Sequence, residues 1–247
     1  MSMKHTSALE CLGLSKRFNR MPVLQNLDLA VRTGECFGLV GVNGAGKTTL
    51  LKCLLDFCEL DSGTIEIFSV RHNAQHARRH LAFLPERFVP PYYLTGRDFI
   101  KYMLALQHLS YSASEVEAML DGLDLDRSVL SKPVRAFSKG MTQKLGLAAC
   151  LLSNKDLTVL DEPTSGLDPK ARALLKTQLH NIKDAGRTLF FTSHALADVE
   201  EICDRMAVLH EGKLLFVGTP AELCAQYQMN NLEQAFLECI KPAPEKL

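Results

Sequence analysis

Apolar positions in this chain fall into short runs separated by turn residues. Leu24–Val31 alternates apolar and polar side chains, the pattern of a half-buried antiparallel strand. Cys36–Val40, Leu157–Leu160, Thr188–Thr192 and Met206–Leu209 are continuous and too short for helices, so they predict buried parallel strands. Helical spacing lies between them at Lys47–Asp56, Pro169–Asp184 and Leu196–Cys203, with Pro169 suited to a first helical turn after Asp168. Strands alternating with helices predict an α/β fold with a mainly parallel sheet.

From about Asn73 to Leu152 the rhythm changes. Arg97–Leu109, Ser114–Leu123 and Met141–Leu152 carry helical periodicity with few strand candidates, so this stretch reads as a helical insertion. Pro85, Pro90 and Pro91 mark its entrance, followed by Tyr92 and Tyr93, expected to be exposed. The chain turns helical again after Gly218 and is expected to fray over 241–247. These limits give one domain over 1–247, in three parts. An α/β core with a β subdomain takes about 8–85 and 155–220, a helical subdomain about 86–154, and C-terminal helices with a tail 220–247.

The 247 residues carry 28 basic and 28 acidic side chains. No basic stripe stands out, so nucleic acid is not an expected partner. Met1 to Glu10 lacks a hydrophobic signal core, and no apolar run reaches the ~18 residues of a membrane span. The longest candidate, Leu145 to Leu152, reads as amphipathic in context. A cytoplasmic chain that meets a membrane through a partner is expected. The eight cysteines show no metal-binding spacing and read as small apolar residues of a reduced protein.

Two segments carry chemistry. Gly41-Val-Asn43-Gly44-Ala45-Gly46-Lys47-Thr48 follows a predicted strand and opens a predicted helix, as a phosphate loop requires. Glycines let successive N–H groups face one anion, and the helix start adds its positive end. Lys47 can reach the β- and γ-phosphates, the Thr48 hydroxyl can ligate Mg²⁺, and Thr49 completes the helix start. Leu157-Thr-Val-Leu-Asp161-Glu162 is an apolar strand ending in two acids: Asp161 for the Mg²⁺ shell, and Glu162 to polarise an attacking water. A guanine reader is missing, since Asn154-Lys-Asp-Leu breaks its pattern, which argues against a GTPase switch.

Three further motifs narrow the class. Phe137-Ser138-Lys139-Gly140-Met141 resembles the signature of ATP-binding cassette (ABC) transporters. Ser165-Gly-Leu-Asp168 resembles their D-loop, and Thr192-Ser-His194 their switch histidine. The resemblance covers roughly residues 8 to 220. It implies ATP and Mg²⁺ as ligands, with Phe18 stacking on adenine. It also implies a composite site, in which one copy's phosphate loop faces the signature residues Ser138, Lys139 and Gly140 of a second copy, beside Asp168. A membrane permease would be the further partner. Lys139 and Met141 depart from the usual glycine and glutamine, and Glu86 stands where the family's coupling-loop glutamine ligates the metal. These variations, with Val217-Gly-Thr-Pro-Ala-Glu-Leu223 and Asn231-Leu-Glu-Gln-Ala-Phe236, resemble the ABC-2 type exporters. A soluble cassette protein acting on ribosomes or DNA is the competing class. It fits less well, because this chain has one cassette, no heptad run and balanced charge.

Overall fold

The computed structural model describes residues 7–241. The expected polar start at Met1–Glu10 lies partly, and the tail expected to fray over 241–247 lies all but Lys241, outside the described residues. In chain order the strands are β1 (Ser7–Phe18), β2 (Met21–Arg32), β3 (Cys36–Val40), β4 (Ser62–Ile67), β5 (Val70–Arg71), β6 (Leu81–Leu84), β7 (Leu157–Asp161), β8 (Thr188–Ser193), β9 (Arg205–His210) and β10 (Lys213–Gly218). The helices are α1 (Lys47–Leu54), α2 (Gly96–Leu106), α3 (Ala113–Gly122), α4 (Lys139–Leu152), α5 (Pro169–Asp184), α6 (Leu196–Ile202), α7 (Pro220–Tyr227) and α8 (Leu232–Cys239). The chain forms two compact units, 1–77 with 190–247, and 78–189.

The first unit holds an antiparallel sheet in the order β2-β1-β4-β5 and the strand series β10-β9-β3-β8. β3 and β9 run parallel, pairing Val40 with Val208, and β10 returns antiparallel along β9. Every residue of β3 is buried, as its unbroken apolar run requires of a parallel strand covered on both faces. Phe37 stacks on Phe190 with ring centroids 6.0 Å apart, inside this core.

β1 escaped the periodicity reading because its register breaks midway. Leu9 and Cys11 point inward, then Leu14 does, and the ladder with β2 shifts between Cys11 and Leu14. Gly13 supplies the left-handed residue of that bulge, at φ 59°. A Cβ on Gly63 would stand 2.5 Å from the Gly13 carbonyl oxygen, so glycine is needed where the two backbones meet.

The second unit contains the parallel pair β6–β7 and helices α2 to α5. Here one expectation is corrected. Leu145–Leu152 is not amphipathic: α4 is buried continuously from Gln143 to Leu151. Its sides are covered by α2, α3 and β6, which leaves no face for solvent. Gly146 permits the close approach, since a Cβ there would come within 2.7 Å of the Phe88 ring. The expected helices at 97–109, 114–123 and 141–152 are present with ends moved by up to three residues. Among the described residues, no helix is long and apolar enough to cross a membrane.

Candidate functional site

In the first unit, the chain leaves the C-terminal end of β3 at Gly41 and enters α1 at Lys47. The loop is bent by glycines that no other residue could replace cheaply. Gly44 and Gly46 sit at φ 85° and 114°, in the left-handed region. A Cβ on Gly41 would lie 2.4 Å from the Leu209 carbonyl oxygen. The β9–β10 turn and β2 brace the loop: the Gly212 N–H donates to Ala45 O at 3.0 Å, and the space beside Gly46 is closed by Leu24 and Val23. These bracing residues carried no signal in the sequence, because their work is done by backbone atoms and packing.

No side chain caps α1. Lys47 is buried and its Nζ donates to the Gly41 carbonyl oxygen at 2.5 Å, so its ammonium is folded back across the mouth of the loop. Asn43, Gly44 and Thr48 are exposed, Thr49 is half-buried and Ala45 is packed inside. A glycine cradle exposed at Asn43 and Gly44, an uncapped helix start and a curled-back lysine together fit an anion. Phe18, 46% exposed, ends β1 in this same unit, with Lys16 Nζ 5.3 Å from its ring centroid. His194 is exposed on the bend between β8 and α6.

In the second unit, Asp161 ends β7 and Glu162 begins the following turn. Both are buried. Glu162 takes a left-handed backbone, φ 49°, which costs a non-glycine residue roughly 1–3 kcal/mol. The turn that holds it is closed by the Ser165 N–H donating to the Glu162 carbonyl at 3.0 Å. β6 and β7 pair in parallel with Leu84 beside Leu160, so both strands end on the same side. Glu86 lies two residues past the end of β6 and Glu162 one residue past the end of β7; Glu86 is exposed.

Ser138 is the N-cap of α4, its Oγ accepting from the Met141 N–H at 3.2 Å. Lys139 opens the helix, and its side chain runs along Gly166: a Cβ there would stand 3.4 Å from Lys139 Cε. Gly140 is nearly open, its nearest obstacle being the Gly166 carbonyl. Asp168 caps α5, with Oδ1 accepting from the Ala171 N–H at 2.9 Å and Pro169 in the first turn as expected.

A glycine cradle closing onto an uncapped helix with a curled-back lysine defines a phosphate-loop nucleotide-binding protein. A family model described as ABC transporter matches residues 24–165. The chain belongs to the ABC transporter family. An uncharacterized ABC transporter ATP-binding protein of Synechocystis sp. is 39% identical over 203 residues, covering 81% of this chain and 57% of that protein. A Nod factor export ATP-binding protein I of Burkholderia orbicola is 36% identical over 217 residues, 85% of this chain and 70% of the relative. The chain thus spans somewhat more than half of the Synechocystis relative and 61% of a similar Nostoc protein. A solved structure of an ATP binding subunit of an ABC transporter superposes with TM-score 0.87 at 30% identity, covering 95% of this chain and all of that one. A bacterial Atm1-family ABC exporter with ATP bound shares the fold, with TM-score 0.81 at 21% identity, covering 99% of this chain and 44% of the exporter.

Proposed function

We propose that this chain binds and hydrolyses Mg-ATP as the motor subunit of an ABC exporter, working as a dimer of two copies on a membrane permease. The observation that carries the reading is the uncapped start of α1 behind the glycine cradle, with Lys47 folded over it. In this reading the loop amides hold the β- and γ-phosphates, and Lys47 turns from the Gly41 carbonyl to the γ-phosphate. Phe18 stacks on the adenine. Thr48, Asp161 and Glu86 are the residues that would hold Mg²⁺, which would supply charge neutralisation for the transferred phosphoryl group.

Glu162, buried and held at a left-handed backbone, acts as general base toward the attacking water. His194 contacts the γ-phosphate and reports whether it is present. Ser138, Lys139 and Gly140 of a second copy, with Asp168 beside them, close over the nucleotide, so that ATP joins the copies and hydrolysis parts them. The helical subdomain at about 86–154 would pass this motion to the permease on the cytoplasmic face. Support for the export direction comes from relatives named for Nod factor export.

Lys47→Ala tests the assignment. Loss of the fixed ammonium is expected to reduce ATP turnover by at least ~100-fold, the scale of a charge clamp on a transferring phosphoryl group. Wild-type turnover in the purified variant would remove the reading.

A further inference from the structure

The second unit contains a cleft that the nucleotide chemistry does not use. It opens where α3, α4 and α5 meet, at the opposite end of α4 from Ser138, with a volume of about 460 Å³. That is the size of a small-molecule site, roughly 300–1,000 Å³. Met119, Leu151 and Leu152 give it an apolar wall, and Glu115, Asn154, Gln178 and Arg187 give it polar ones. Arg187 is delivered by the end of α5. Gly186 takes a left-handed backbone, φ 77°; its N–H donates to Lys183 O at 2.8 Å, and the Arg187 N–H donates to Ile182 O at 3.2 Å. This is a Schellman ending, in which the residue after the glycine commonly packs an apolar side chain back on the helix. Here a guanidinium holds that place. The Thr188 N–H then donates to Asp156 O at 2.8 Å, which seats Arg187 beside the entry to β7.

The guanidinium is poorly satisfied. Arg187 Nε is buried with no hydrogen-bond partner, and among the described residues the side chain makes one bond, from Nη1 to the Leu151 carbonyl at 3.4 Å. Leaving a buried donor unmade is costly, so such a group calls for a reason. Burial lowers the Arg187 pKa, and Asp156, held by His80 Nδ1 at 2.6 Å, forms no ion pair with it. Glu115, in the first turn of α3, is likewise without an ion pair among the described residues. The Gln178 amide lies against Gly122, where a Cβ would stand 2.6 Å from its Nε2. The walls of one cleft therefore carry an unpaired positive charge, an unpaired negative charge and an apolar face. A simple anion would meet Arg187 but also the Glu115 carboxylate; a ligand with both charges meets each with its opposite. We propose that this cleft binds a small zwitterion with an apolar side chain, of the amino-acid or dipeptide kind. Its carboxylate takes the Arg187 guanidinium, its ammonium takes the Glu115 carboxylate, and its side chain lies on Met119, Leu151 and Leu152. Asn154 and Gln178 supply further hydrogen bonds.

Calorimetric titration of the full chain, without nucleotide, tests the site. The probes are L-leucine and L-leucyl-L-leucine. Octanoate serves as a carboxylate without an ammonium, and N-acetyl-L-leucinamide as an apolar body without charge. At least one zwitterion is expected to saturate the chain, and both controls to bind about 10-fold or more weakly. The tighter of the two zwitterions distinguishes a free amino acid from a peptide. Arg187→Gln should weaken zwitterion binding about 10-fold or more, and Glu115→Gln about threefold or more. No saturation by either zwitterion up to about 10 mM overturns the proposal. So does octanoate binding as tightly as the zwitterion, the sign of an anion site only, and so does unchanged affinity in Arg187→Gln. Should Arg187→Gln fail to fold, Ala118→Trp decides. Ala118 is exposed on α3 at the cleft, so an indole there would fill it while thermal unfolding stays near the wild-type temperature. Zwitterion binding should be lost in that variant, and retained affinity would overturn the proposal. No step uses a nucleotide, so the outcome is independent of the nucleotide reading.

Discussion

Two helices of this protein open at glycine-containing motifs, and they open differently. α1 starts from Gly46 at φ 114° with no side-chain cap, behind a loop whose lysine is tucked onto Gly41. α4 starts from Ser138, whose hydroxyl caps the Met141 N–H, and a Cβ on its glycine at 140 would make only ordinary contact with the Gly166 carbonyl oxygen at 3.8 Å. Both starts carry the positive end of a helix. The first leaves its N–H groups to an incoming anion and is braced from behind by Leu24, Leu209 and Gly212. The second satisfies part of its own need through the Ser138 hydroxyl. On the proposed reading, the contrast separates a site that holds a nucleotide from a site that completes one: the former would be built before ligand arrives, the latter would need only to be presented.

Glu162→Gln should separate chemistry from binding most strongly. Loss of the general base is expected to slow hydrolysis by about 10²–10⁴-fold while ATP still binds. The same variant should elute as a dimer with Mg-ATP and as a monomer without it. A monomer under both conditions would break the proposed role of the α4 start as the second half of the site.

Gly41→Ala comes next. Its Cβ would meet the Leu209 backbone at 2.4 Å, so overpacking should cost ~1–3 kcal/mol. At ~2–4 °C per kcal/mol for a chain of this size, thermal unfolding should fall by several degrees, with nucleotide affinity falling as well. Ser138→Ala is expected to be milder, with loss of one cap costing ~1 kcal/mol. Its nucleotide affinity as a monomer should be unchanged. Equal damage from the two substitutions would erase the contrast between the helix starts. Smallest is Tyr92→Asp: the ring is 67% exposed and its neighbour Tyr93 is 71% exposed. ATPase of the isolated subunit should stay as in the wild type, while co-purification with the proposed permease partner should weaken.

Much of this was legible in the chain because the motifs need particular atoms at particular spacings. Gly41, Gly46 and Lys47 were readable since left-handed backbone and close approach admit few substitutes. β3 and β7 were readable because strands buried on both faces are apolar throughout. β1 was not, because the bulge at Gly13 moves the inward set from one parity to the other. β10 was not either, since Leu215 and Val217 face outward on an edge strand and blur the alternation. β6 hid in a stretch read as helical because four residues are too few to show a period. The burial of α4 depends on three neighbouring elements, which no local pattern encodes.

A calorimetric titration of Mg-ATP into the isolated chain tests the account most directly, run side by side on wild type, Lys47→Ala and Ser138→Ala. The account predicts saturable binding by wild type and by Ser138→Ala with similar affinity, and none measurable by Lys47→Ala. Binding that survives Lys47→Ala but is lost in Ser138→Ala would contradict it, placing the nucleotide on the capped helix rather than the uncapped one.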